Sequence, residues 1–279
     1  MPRPNLSEGG PRWRRAFVLV GLALSLAACQ AEERPDYPHG EGKNVPSVVY
    51  GEDRFATIHL PPRYETHPDA RYPVLIVLDA PWMTAIAAAA AEELALDEKI
   101  PEMIVVGAVT PARLKEMTPP WLRIYPPTNN RPGEADKLLA HLKDELLPWL
   151  EQNYRTNGSF GLSGWSRGGV FSAWTLVAEP DLFDVRIPIS PGFWRGDGEF
   201  PRKFREFFAA NPDHRSVIHL SVGGGEGRKI LRGYERGVSE FENAPEGLRW
   251  TSVILPGASH QDTPWEIFPR ALEWAYGER

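Results

Sequence analysis

Phe160-Gly161-Leu162-Ser163-Gly164-Trp165-Ser166-Arg167-Gly168-Gly169 is the stretch on which the reading of this chain turns. Within it, residues 164–168 fit G-x-S-x-G, the pattern of a serine carried on a sharp strand-to-helix turn. Such a turn strains the backbone at the serine, and the residues two positions to either side must lack a Cβ for strand and helix to close in. Downstream, Val170, Phe171, Ala173, Trp174, Leu176 and Val177 recur at helical spacing until Glu179-Pro180 ends the run. Upstream, residues 158–162 read as the strand feeding the turn. A helix starting there aims its first N–H groups at Ser166, which suits negative charge developing beside the hydroxyl.

Working outward, residues 72–79 and 103–109 are β-branched and almost wholly apolar. Such runs suit strands buried on both faces of a mostly parallel sheet. Residues 185–190, 217–222 and 250–255 supply three more strands, separated by helical stretches. The alanine-rich residues 84–94 read as a crossover helix. Residues 136–153 carry leucines at helical spacing, with Pro148 as an expected kink or end. At the start, residues 47–50 and 54–60, split by Gly51-Glu52-Asp53, suggest a hairpin-like pair. Residues 118–132, with five prolines, form a long irregular loop. The alternation predicts an α/β fold with a mostly parallel central sheet, helices on both faces and an antiparallel start.

A serine hydroxyl needs a base within hydrogen-bond reach. Of the seven histidines, His39 and His67 sit in polar, proline-flanked segments, His59 and His219 inside strand runs, His141 mid-helix and His214 in a polar turn. His260 differs. It follows the last strand at its C-terminal end, the edge where open α/β sheets place reactive groups. Serine first and histidine last is also the hydrolase order. The third member is expected after the preceding strand, where residues 218–222 run into Gly223-Gly224-Gly225-Glu226. Glu226 is therefore the candidate acid, with Asp262 the competing position.

The oxyanion hole is expected to use the N–H of Arg167 and one from residues 79–82. Pro81 has no N–H, which leaves Ala80 or Trp82, with Ala80 the expected donor. The Arg167 guanidinium is a candidate for sensing a substrate carboxylate or for a surface salt bridge. Trp82, Trp121, Trp165, Trp194 and Trp265 fall in or beside the same loops and are candidates for lining a bulky or aryl acyl pocket. This chemistry calls for no metal and no cofactor.

The first residues read differently. Arg3, Arg12, Arg14 and Arg15 precede an apolar run over residues 16–28, too short to span a bilayer but suited to a signal-peptide core. It closes on Leu26-Ala27-Ala28-Cys29, which resembles a bacterial lipobox. Cys29, the one cysteine of the chain, is the expected lipidation site, which would hold the protein on a membrane without spanning it. Gln30 in place of an aspartate hints at the outer membrane of a bacterial envelope, facing the periplasm. The expected organisation is thus a signal peptide at 1–28, a flexible tether at 29–44 and one catalytic domain at 45–279. Loss of residues 1–28 removes four arginines and one glutamate, so the formal charge moves from −6 to −9. With no basic nucleic-acid motif to offset that, a nucleic-acid partner is not expected.

The chain resembles the "putative esterase" family of α/β-hydrolases, which includes siderophore esterases, feruloyl esterases, S-formylglutathione hydrolase and the mycolyltransferases. The resemblance covers nearly all of the expected mature domain. It rests on Leu60-Pro61-Pro62-Arg63-Tyr64, Tyr72-Pro73-Val74-Leu75 leading to Asp79, and Glu145-Leu146-Leu147-Pro148-Trp149. Further landmarks are residues 164–169, Pro180-Asp181-Leu182-Phe183, Ser190-Pro191, 223–226 and 256–260. It implies an α/β-hydrolase fold with Ser166 as nucleophile, His260 as base and Glu226 in the acid slot, acting on a small-molecule ester. Ala80-Pro81 stands where many relatives have a glycine, and Phe193-Trp194 replaces a fuller aromatic pair. Siderophore-ester hydrolysis and acyl transfer are the neighbouring chemistries on this fold; a catalytically silent, lipid-anchored binding protein is the alternative outside enzymology.

Overall fold

The computed structural model describes residues 40–124 and 131–278. The expected signal peptide, Cys29 and the tether as far as residue 39 lie outside the described residues, as do residues 125–130 of the proline-rich loop.

Among the described residues, eight strands form one sheet: β1 (Gly40–Val45), β2 (Arg54–His59), β3 (Tyr72–Val77), β4 (Ile104–Ala108), β5 (Thr156–Trp165), β6 (Val185–Ile189), β7 (Ser216–Gly223) and β8 (Leu248–Leu255). Their order is β1-β2-β4-β3-β5-β6-β7-β8. β2 runs antiparallel to both of its neighbours, and every pair from β4 to β8 is parallel. Among the same residues, eight α-helices are interleaved: α1 (Trp82–Leu96), α2 (Arg113–Glu116), α3 (Ala135–His141), α4 (Leu147–Asn153), α5 (Arg167–Ala178), α6 (Glu199–Ala210), α7 (Arg228–Val238) and α8 (Thr263–Tyr276). This is the α/β arrangement that the strand and helix patterns predict.

The central strands explain the two-layered core. Successive side chains of a strand point to opposite faces, and in β3 and the residue after it Val74, Ile76 and Leu78 join one cluster while Leu75 and Val77 join the other. The first cluster lies under α5, where Val170, Phe171 and Leu176 pack. The second lies under α1 and α8, through Met83, Ile86, Ile267 and Leu272. All these side chains are buried. Among the described residues no helix is long and apolar enough to cross a membrane.

One expectation is corrected. The first strand is Gly40–Val45, all but its last residue inside the segment read as tether, and residues 48–51 are a turn. Gly51 N–H donates to the Ser47 carbonyl at 2.9 Å, and Val49 N–H to Glu145 Oε1 at 2.9 Å, so this stretch is tied to the α3–α4 region and unavailable to the sheet. The strand itself escapes a hydrophobicity reading because it is a polar, mostly exposed edge. The helix expected over 136–153 is present as helical backbone throughout, with a π-helical turn at Leu142–Leu146 between α3 and α4. Pro148, which has no N–H to return to the preceding turn, falls in the first turn of α4.

Candidate active site

β5 delivers Ser166 to the C-terminal edge of the sheet, and α5 begins at the next residue. Ser166 has φ 55° and ψ −104°, a backbone conformation that non-glycine residues avoid. Its N–H donates to the Ile189 carbonyl at 2.8 Å, locking the turn to β6. A Cβ on Gly164 would come within 2.5 Å of the Gly168 backbone, so only glycine allows β5 and α5 to diverge so abruptly.

The residue before the serine is held from both sides. Asp79, just past β3 and itself at φ 64°, accepts the Trp165 N–H on Oδ2 at 3.2 Å. Arg113 donates through Nε to Asp79 Oδ1 and through Nη2 to the Trp165 carbonyl at 3.1 Å. Burial pushes the Asp79 carboxyl above its ordinary range, against the opposing pull of Arg113 and the Trp165 N–H.

The histidine and the acid meet at the ends of β8 and β7. Glu226 Oε2 lies 2.6 Å from His260 Nδ1. Its other oxygen accepts Ser190 Oγ–H at 2.5 Å and the Gly223 N–H at 2.8 Å. The Glu226 side chain is fully buried, whereas that of His260 is 31% exposed toward the cleft. Burial disfavours the Glu226 charge, but the bonds from His260, Ser190 and Gly223 outweigh it and hold the carboxyl below its usual range. Asp262, the competing position, instead accepts Ser259 Oγ–H at 2.5 Å and sits at the start of α8.

Ser166 and His260 line the same cleft, of about 240 Å³, together with Arg113, Arg167, Trp194 and Arg195. Among the described residues no hydrogen bond joins Ser166 to His260; catalytic bonds are commonly looser before substrate binds. Arg167 opens α5, so its backbone N–H stands at the positive end of the helix dipole beside Ser166. Its guanidinium donates to Thr118 Oγ1 at 2.5 Å. Burial first, then the charges of Arg195 and Arg113, lower that guanidinium to about 10. An imidazole backed by a buried carboxylate, a hydroxyl on a helix N-terminus and three guanidiniums in one cleft can activate an oxygen nucleophile and stabilise an oxyanion.

The remaining sequence candidates are dispersed. Trp194 lines the cleft. The Trp165 ring lies against His260, and Trp82 packs edge-on against Trp165 with centroids 5.3 Å apart. Trp121 is turned onto Phe200 of α6 at 4.8 Å and falls outside the cleft-lining residues. Trp265 is exposed on α8. Ala80 falls outside the cleft-lining residues, with its side chain toward Gly107. The left-handed backbone at Asp79 commits the end of β3 to supporting Trp165. Arg113 and Arg195 went unread in the sequence, although Arg113 follows β4 at its C-terminal end, the edge that had pointed to His260.

Comparison with known proteins bears on the family and the fold. The family model described as "Putative esterase" matches residues 47–236. An uncharacterized protein of Bacillus subtilis, YbbA, is 25% identical over 241 residues, covering 82% of this chain and 94% of its own. The siderophore enterobactin esterase of Emericella nidulans is 30% identical over 136 residues, 44% of this chain and 45% of that protein. Among solved structures, an IroE-like serine hydrolase from Shewanella oneidensis superposes with a TM-score of 0.76 at 21% identity, covering 84% of this chain and 79% of the other.

Proposed function

Because the chain belongs to the esterase family, whose model spans residues 47–236, we propose that it hydrolyses carboxylic esters through an acyl-enzyme formed on Ser166. The observation that carries this reading is the 2.6 Å bond between Glu226 and His260, made where His260 and Ser166 line one cleft. His260 takes the Ser166 proton as the oxygen attacks the ester carbonyl, and returns it to the departing alcohol. Glu226 fixes the imidazole tautomer and stabilises the imidazolium. The Arg167 N–H and the positive end of α5 receive the tetrahedral oxyanion. Water then enters and the same base hydrolyses the acyl-enzyme. Hydrolysis of a siderophore ester is a narrower reading, favoured by the relative from Emericella nidulans.

The test is turnover of 4-nitrophenyl butyrate and labelling by a fluorophosphonate probe. Ser166→Ala should lower kcat/KM by about 10³-fold or more and abolish labelling, with the fold intact. A variant within about tenfold of wild type would remove Ser166 from the mechanism. Wild-type protein that neither turns over esters nor labels would leave a binding protein. Added alcohol acceptors separate hydrolysis from acyl transfer by their products.

We propose too that residues 1–28 are removed and that Cys29 carries the lipid that places the enzyme on a bacterial outer membrane. The support is the sequence pattern of that segment.

A further inference from the structure

Beside the cleft lies a second cavity, of about 550 Å³, between α7 and the loop that follows β6. Four cations line it, Arg228, Lys229, Arg232 and Arg236, against one carboxylate, Asp197. None of the four makes a salt bridge with a carboxylate among the described residues. The carboxylates on the cavity lining and on α7, Asp197 and Glu235, are fewer than the four cations. Arg228, Arg232 and Arg236 stand four residues apart, the spacing at which like charges repel along a helix. Arg228 and Lys229 also open α7, where the dipole favours acids, and its first turn carries none. A chain of net charge −6 has thus gathered four positive groups in one concavity.

The cavity is built into the fold. A Cβ on Gly233 would come within 2.4 Å of the Trp194 backbone nitrogen, and one on Gly237 within 2.4 Å of the Phe193 ring, so α7 is seated tightly against this loop. Trp194 joins the two spaces, since it lines both the second cavity and the cleft of Ser166. Lys229 Nζ lies 4.1 Å from the indole centroid, and the guanidinium carbon of Arg195, a cleft residue, lies 4.6 Å from it.

We propose that this cavity is an anion subsite for the substrate, so that the enzyme acts on esters whose far end carries a carboxylate or phosphate group. The reading rests on the esterase assignment. An anion seated there relieves the repulsion among Arg228, Arg232 and Arg236 and completes the N-terminus of α7.

The experiment pairs two substrates on the full chain: a 4-nitrophenyl monoester of a dicarboxylic acid, and the same compound with its free carboxylate methylated. Chain length is varied to reach the subsite. Wild type should prefer the anionic ester by about tenfold or more in kcat/KM, mainly through KM, and Arg228→Ala/Arg232→Ala should lose that preference. In parallel, calorimetry of inorganic pyrophosphate with the Ser166→Ala protein should give binding that the two arginine substitutions weaken by about tenfold. Equal use of both esters by wild type, or a preference that survives in the double variant, overturns the proposal. Pyrophosphate binding without ester preference does so as well, by assigning the cavity to a free anion. A protein that turns over neither ester fails as an esterase, yet its pyrophosphate titration still reports on the cavity.

Discussion

The indole of Trp165 lies against the imidazole of His260, ring centroids 4.6 Å apart and tilted by 35°, and its Nε1–H donates to the His260 carbonyl at 3.0 Å. The residue preceding the proposed nucleophile thereby holds the loop that carries the proposed base. Asp79 and Arg113 hold the Trp165 backbone in turn, so one chain of contacts fixes both partners.

Trp165→Ala should therefore act on catalysis through geometry. Misplacing a base by about 1 Å costs on the order of 10²-fold, and the loss should appear in kcat with KM for a small neutral ester little changed. Trp165→Phe keeps an aromatic surface but not the donor, so it should fall between wild type and alanine. Steady-state kinetics check this; a loss confined to KM would make Trp165 a pocket wall, the role its position in the sequence first suggests.

Arg186 makes a separate prediction about stability. Fully buried on β6, it donates through Nη2 to the carbonyls of Thr175, Glu179 and Pro180 at 3.3, 3.0 and 2.9 Å, and through Nη1 to that of Phe183 at 2.7 Å. These bonds close the C-terminal end of α5, whose other end carries Ser166. Burial lowers the guanidinium to about 9. Arg186→Met would leave those carbonyls without their donor and should destabilise the fold by about 3–5 kcal/mol in urea denaturation. A loss under about 1 kcal/mol would mean that water replaces the guanidinium.

What the sequence disclosed and what it hid divide along a physical line. Gly164, Ser166 and Gly168 are legible because a tight turn imposes its steric demands within five residues. Glu226 and His260 are legible because each follows a strand at the edge where such sheets collect reactive groups. Trp165 and Arg186 are not legible in their roles. Trp165 gains its partner from 95 residues away, and Arg186 sits inside an apolar run where nothing local announces carbonyls waiting to be capped. β1 is not legible because an edge strand need not alternate, and its GEGKNV composition matches that of a linker.

Cys29 lies outside the described residues, and its prediction stands on chemistry alone. In a bacterial host the full chain should incorporate labelled palmitate and fractionate with membranes, whereas Cys29→Ala should lose both. Continued labelling of the variant would remove the anchor. Soluble, unlabelled wild-type protein would remove the periplasmic outer-membrane placement with it.

Glu226 joins catalysis to pH. Its carboxyl is held below the usual range because His260, Ser190 and Gly223 donate to the charged form, against the cost of burial. A depressed acid stabilises the fold fully above its unfolded value, and that contribution is lost as pH falls through the lower folded value. Glu226→Gln removes the charge and should lower kcat by about 10²–10⁴-fold at neutral pH, since the imidazole loses its fixed tautomer. The gap in melting temperature between wild type and variant should be widest at neutral pH and should narrow on acidification below the ordinary glutamate range. Thermal denaturation of both proteins across pH 3–8 (bounds roughly spanning the carboxylate and imidazole ranges) measures that gap. If it widens toward acid instead, burial prevails over the three donors, the carboxyl is raised, and Glu226 cannot serve as the charged partner of His260.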